Sequence, residues 1–180
     1  MLTKDLDKII SEITSNQVVS IPTDTVYGLS CNISKNAIEK IINLKKRDSS
    51  KGFIIISHNY KHLLEYIDTT KLSNEQIDKI CSKQPQPTTW IVPGKIDIQW
   101  LTGGKTTIAI RLVTTEIITN ICSKINNAII STSANISGQD FINNYHSINE
   151  VFNSIYILET EVKSSQPSTI IDIITGDRYR

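Results

Sequence analysis

Seven short runs dominated by isoleucine, valine and threonine recur along the 180 residues of this chain. They are QVVSI at 17–21, FIIIS at 53–57, TTWIV at 88–92, TIAIRL at 107–112, AIIST at 128–132, SIYIL at 154–158 and TIIDI at 169–173. Each is too short for a packed helix and reads as a strand, FIIIS as a buried one. Pro22 follows the first run and stops its ladder there.

The intervening stretches change period. Leu6, Ile9, Ile10 and Ile13 fall at i, i+3, i+4 and i+7, one apolar stripe of a helix over 3–16. Ser34 caps a second helix to Lys46, with Ile38, Ile41 and Ile42 on its buried side. A short helix is expected at about 59–66. Ser73 and Gln76 have capping-box spacing and open another, which Pro85 and Pro87 end. Ile118, Ile121, Cys122 and Ile125 share a face before the fifth run, and Ser147 with Glu150 suggests a capped turn before SIYIL. Strands interleaved with helices imply an α/β fold. Its twisted sheet is mixed, because some connections are too short for crossovers, and helices flank it on at least one face. No linker, repeat or low-complexity tract divides residues 1–180, so one domain is expected.

Composition excludes several classes. Hydrophobic residues are 39% and charged residues 21%, a globular balance rather than a disordered or membrane one. A net charge of +1 means that phosphate or nucleic-acid recognition has to come from a local basic cluster. The opening MLTKDLDKIISEITSN lacks the apolar core of a signal peptide, and no run approaches a membrane span. Cys31, Cys81 and Cys122 are far apart and form no CxxC, which disfavours a zinc site or a disulfide framework. A cytoplasmic protein without membrane contact is the expectation.

Four places could carry chemistry. Lys45, Arg47 and Lys51 cluster after the second helix, with Asp48 among them. They read either as a solvated helix end favoured by the dipole or as a pocket for a polyphosphate. ISTSANISG at 130–138 takes a strand end into a turn rich in hydroxyls, with Ser131, Ser133 and Asn135 on one face if the strand continues. It reads either as an anion site or as an ordinary turn. IPTDTVYGLS at 21–30 could line a small polar pocket with Thr23, Asp24, Thr25 and Tyr27, or be a capped turn. Arg111 in TIAIRL either points to solvent or is buried and needs an anionic partner. LTGGKTT at 101–107 mimics a P-loop, but the required first glycine is Gln99, and no GxSxG serine elbow is present.

Taken together, IPTDTVYGLS, LKKRDSSKG, TTIAIRL, STSANISG and PSTIID occur in an order and spacing that resembles the YrdC-like family, in its short bacterial TsaC-type form. The resemblance implies a twisted α/β sheet around a positively charged cavity, with no appended C-terminal domain after Arg180. It implies an enzyme, a nucleotidyltransferase, that joins L-threonine, bicarbonate and ATP into threonylcarbamoyl-adenylate and pyrophosphate, with Mg²⁺ accompanying ATP. The product would serve N6-threonylcarbamoyladenosine modification of tRNA position 37 by the downstream transferase complex of TsaD, TsaB and TsaE. Double-stranded RNA binding and weak contact with tRNA belong to the same expectation.

Carried over by residue, the family's KxR motif falls on Lys45 and Arg47, with Lys51 completing the basic group. Its SxN motif falls on Ser133 and Asn135. Thr25, Arg111 and Ser131 would contact threonine and Thr107 would lie by ATP. Ser168 would sit near the substrates, and Arg180 would reach the nucleotide phosphates. No metal-ligating protein residue is implied. The chain departs from the family pattern at Asp48, where members often carry proline, and at Phe141, where they often carry a small hydroxyl residue. A non-catalytic RNA-binding module and a carbamoyl-transfer accessory domain are the competing readings. The first lacks an aromatic stacking platform, and the second lacks zinc-finger cysteines.

Overall fold

The computed structural model describes residues 1–161 and 166–180. Among these residues nine strands form a single sheet. In chain order they are β1 (Leu2–Thr3), β2 (Val19–Pro22), β3 (Tyr27–Cys31), β4 (Ile54–Ser57), β5 (Thr88–Pro93), β6 (Thr107–Leu112), β7 (Ile129–Ser133), β8 (Tyr156–Leu158) and β9 (Thr169–Asp172). Their spatial order is β1-β8-β2-β3-β7-β4-β6-β5-β9. The sheet is mixed, as expected: β4 and β6 pair in parallel, whereas β3 and β7 pair antiparallel.

The α-helices around it, among the described residues, are α1 (Leu6–Thr14), α2 (Lys35–Lys45), α3 (Tyr60–Leu64), α4 (Asn74–Cys81), α5 (Gln99–Thr102), α6 (Glu116–Ile125) and α7 (Tyr145–Val151). The capping residues read from sequence largely hold. The Ser34 hydroxyl accepts from the Ala37 amide at 3.2 Å, and Ser73 with Gln76 forms a reciprocal capping box. Several boundaries differ: α1 spans Leu6–Thr14 rather than 3–16, and α3 spans Tyr60–Leu64 rather than about 59–66. Helix α4 stops at Cys81, before Pro85, and α7 is capped by Asn144 rather than Ser147, the Asn144 Oδ1 accepting from the His146 and Ser147 amides.

Two strands escaped the sequence reading. β1 is only two residues long and exists because β8 offers it a partner. β3 is buried along its whole length and is only five residues long, with no β-branched residue to mark it as a strand.

Alternation across the strands divides the core between the two faces. One face carries Leu29, Ile55, Ile110 and Ile130 against Ile38 and Ile41 of α2, Leu63 of α3, Ile80 of α4 and Ile148 of α7. The other carries Val19, Ile21, Ile56, Val113 and Ile129 against Ile9 and Ile13 of α1 and Ile118 and Ile121 of α6. Helices therefore cover both faces, but the second cover is incomplete. Two to four residues further along the same strands, Ile54, Ala109, Arg111, Ser131 and Ser133 line a cavity.

Candidate active site

The cavity holds about 440 Å³, a size suited to small-molecule ligands. Strand register builds its floor. Gly28 pairs with Ser133, Ile54 with both Ser131 and Ala109, and Ile56 with Arg111, so residues distant in sequence become neighbours. Gly28 has a specific role. A Cβ at this position would lie 2.5 Å from the Ser131 hydroxyl oxygen, so glycine lets that hydroxyl rest against β3.

Arg111 is 5% exposed and turns inward. Its Nη2 lies 3.3 Å from Asp24 Oδ1 and 3.5 Å from the Thr23 hydroxyl, while its Nε has no hydrogen-bond partner. The Asp24 contact is an ion pair without hydrogen-bond alignment, since that same Oδ1 also has no hydrogen-bond partner. Burial lowers the Arg111 pKa, Asp24 opposes the shift and Arg180 adds to it. A buried guanidinium with an unused donor on a cavity wall is built to meet an anion. Beside it Thr25, 2% exposed, shares a 2.9 Å hydrogen bond with the Thr23 hydroxyl, and Ser131 is 6% exposed.

Another part of the lining is made where α2 ends. Lys46 adopts a left-handed conformation at φ 50°, with the Lys46 amide donating to the Asn43 carbonyl and the Arg47 amide to that of Ile42. This is a Schellman-type stop built on lysine rather than glycine, and it throws Arg47 off the helix axis toward the cavity. The Arg47 guanidinium donates to the Gly52 carbonyl at 2.8 Å and stacks over Phe53, 5.0 Å from the ring centroid. Asp48 acts on Arg47 through its charge, opposing the fall in the Arg47 pKa that burial causes. It is exposed, and its carboxylate accepts from the Ser50 amide at 2.9 Å, which shapes the turn and lowers its pKa. Arg180 approaches from the C-terminal segment, its Nε donating to the Ser168 carbonyl at 3.0 Å, and the Ser168 hydroxyl pairs with Thr89 at 2.8 Å.

The structure thus gathers Thr25, Arg47, Arg111, Ser131, Ser133, Asn135, Ser168 and Arg180 around one cavity. It places the other three expected residues differently. Lys45 is 1% exposed and does not line the cavity. Its ammonium donates to the carbonyls of Ser133 at 2.6 Å and Asn135 at 2.7 Å and to Asn135 Oδ1 at 2.9 Å. Lys51 is exposed and outside the lining. The expected pocket of three cations is therefore formed by Arg47, with Arg111 and Arg180 coming from other elements. Thr107 lines a neighbouring cavity that shares Gly52, Ala109 and Ile170 with the first. Phe141 sits in the lining, together with Gln139 and Asp140.

Sequence reasoning missed the apolar floor of Ile54 and Ala109. Ala109 stands two residues before Arg111 on one strand, so alternation could have found it once Arg111 was known to face inward. Nothing in the sequence alone marks Ile54, which depends on the pairing of β4 with β6 and β7. Among the described residues, no three His, Cys, Asp or Glu side chains cluster as a metal site, and no helix is long and apolar enough to cross a membrane.

Comparison with known proteins shows the family and the fold. The Sua5/YciO/YrdC family model, described as telomere recombination, matches residues 11–180. A threonylcarbamoyl-AMP synthase of Mannheimia succiniciproducens is 33% identical over 180 residues, covering 98% of each chain. One from Wigglesworthia glossinidia brevipalpis is 41% identical over 171 residues, covering 93% of this chain and 88% of its own. The crystal structure of P. abyssi Sua5 complexed with L-threonine superposes with a TM-score of 0.85 at 26% identity. It covers 96% of this chain, which spans 52% of the Sua5 length.

Proposed function

The chain belongs to the Sua5/YciO/YrdC family, and on that premise we propose that it is a threonylcarbamoyl-AMP synthase, using L-threonine, bicarbonate and ATP. The observation that carries the reading is the pair of anion sites on one cavity: Arg111 with its unused Nε beside Thr25 and Ser131, and Arg47 with Arg180 on the rim. The first suits an amino-acid carboxylate with a hydroxyl nearby. The second suits a polyphosphate, because guanidinium forks match phosphate oxygens.

The reaction needs little more than this from the protein. The neutral amine of threonine forms a C–N bond to bicarbonate carbon and water leaves, giving a carbamate. A carbamate oxygen then forms a bond to the α-phosphorus of ATP as the bond to the β-phosphate bridging oxygen breaks, and pyrophosphate departs. The protein aligns the two anions and balances the charge that builds on the leaving pyrophosphate. Arg111 would fix the threonine carboxylate, while Arg47 and Arg180 would hold the phosphates. This accounts for a site that uses no histidine or cysteine.

A magnesium ion fits as a companion of the nucleotide. Such an ion keeps several waters and is bound by one or two carboxylates plus phosphate oxygens, and the lining offers Asp140 with the hydroxyl oxygen of Ser133. When bound it would neutralise phosphate charge. The adenylate would pass to the TsaD, TsaB and TsaE transferase that modifies tRNA. The direct test is pyrophosphate release from ATP, which has to depend on both threonine and bicarbonate. Release independent of threonine would remove the reading.

A further inference from the structure

Lys45 occupies the KxR motif, and the motif reading makes it a substrate contact. Its surroundings assign it another task. The ammonium has three protons, and all three acceptors around it belong to the protein: the carbonyls of Ser133 and Asn135 and the Asn135 side-chain oxygen. With 1% exposure and its donors spent, it has nothing left to give a phosphate.

The same contacts fix the direction of every hydrogen bond in the turn. Asn135 Oδ1 must be the oxygen, because an amide nitrogen there would face an ammonium. Its Nδ2 is then the group that donates to the Gln139 carbonyl at 2.6 Å. An amide oxygen can only accept, so the Ser133 hydroxyl, 2.7 Å from it, has to donate its single proton to Asn135. Ser133 is left with lone pairs alone for the cavity it lines.

We propose that Lys45 is a positioning residue. It ties the end of α2 to the Ser133–Asn135 turn and fixes the turn's polarity, so that Ser133 meets the substrate as a hydrogen-bond acceptor. This rests on the synthase reading of the cavity and deepens it. The hydroxyls of this turn were expected to surround an anion. Ser133 instead suits a partner that brings a proton or positive charge, such as a magnesium-bound water, a nucleotide N–H or the threonine hydroxyl. The cationic work at the phosphates falls to the arginines.

Two measurements test this, and each can overturn it. The first needs no nucleotide. In thermal unfolding of Lys45→Met, Asn135→Ala and the double variant, the double loss of Tm should be clearly smaller than the sum of the two single losses, because the residues act as one unit. Additive losses would remove the tie. The second is the salt dependence of Mg·ATP affinity. A residue in contact with phosphate contributes to the slope of log Kd against log salt, and its removal flattens that slope. Lys45→Met should keep the wild-type slope and an ATP KM within about threefold while kcat falls on the order of 100-fold, the cost of a misplaced turn. Arg47→Met should flatten the slope and raise KM.

A flattened slope in Lys45→Met makes it a phosphate ligand and refutes the assignment. If Lys45→Met does not fold, Asn135→Ala alone carries the second test, since it should lower kcat with the slope intact. Wild-type protein that fails to bind Mg·ATP would overturn the synthase reading, while the unfolding cycle would still decide the role of Lys45.

Discussion

Replacing Arg111 with methionine keeps much of the side-chain bulk and removes the buried charge. Arg111 is 5% exposed, with one edge toward Asp24 at 3.3 Å and its Nε unpartnered, so a bound carboxylate would gain up to two charge-assisted hydrogen bonds from it. At about 1.5–3 kcal/mol for each such bond, and with part of the guanidinium already held by Asp24, the loss is roughly 3–4 kcal/mol. One decade of affinity corresponds to about 1.4 kcal/mol, so the Kd for L-threonine should rise by roughly 100- to 1,000-fold. ATP affinity should change by less than about fivefold, because the proposed place of the phosphates is against Arg47 and Arg180. The fold should survive. Asp24 keeps 21% side-chain exposure, so breaking the pair costs less than the about 3–5 kcal/mol of a fully buried one, and the orphaned Nε disappears with it. Isothermal titration with each substrate separately checks this on protein shown to be folded by circular dichroism. Equal weakening of threonine and ATP, or a larger effect on ATP, would refute the assignment of the carboxylate to Arg111.

Other perturbations probe the geometry around it. Gly28→Ala places a methyl group 2.5 Å from the Ser131 hydroxyl oxygen, so Ser131 has to move; threonine KM should rise by at least about tenfold and stability should fall by about 1–3 kcal/mol in denaturant titration. Gly103→Ala acts from outside the cavity. Gly103 has φ 67° and a Cβ there would lie within contact of the Ser50 carbonyl, displacing the loop whose Gly52 carbonyl anchors Arg47, so ATP KM should rise more than threonine KM in steady-state kinetics. The pH profile should carry the signature of Lys45, which burial, reinforced by Arg47, lowers from an ordinary value of 10.5 to about 8. The protonated form has three donors for three acceptors, and deprotonation above the folded pKa leaves one acceptor facing a lone pair. The sign is therefore a fall in kcat as pH rises through about 8, and that limb should vanish in Lys45→Met.

The architecture was legible because it is written in local chemistry. β-Branched runs, apolar stripes at helical spacing and the caps Ser34 and Ser73 specify elements without reference to the rest of the chain. β3 was not legible, because its YGLSC sequence is short, holds no β-branched residue and follows closely on the turn after Pro22. The side chains around the cavity were legible as residue types, since hydroxyls at 131 and 133 and an arginine in an apolar strand are unusual together. Their roles depended on contacts across the sheet. Lys45 and Arg47 look equivalent in a linear motif, but a left-handed residue between them sends one into the protein and the other toward the cavity. Arg111 was open between solvent and interior until register set Ile56 beside it on a buried face.

The central claim is that one cavity joins three substrates into a carbamoyl adenylate, and carbon labelling tests it most directly. Purified protein incubated with ATP, Mg²⁺, L-threonine and ¹³C-bicarbonate should yield threonylcarbamoyl-AMP whose carbamoyl carbon carries the label, with one pyrophosphate released for each adenylate, as read by mass spectrometry. Formation of unlabelled threonyl-adenylate, or of ADP and phosphate in place of AMP ester and pyrophosphate, would contradict the account.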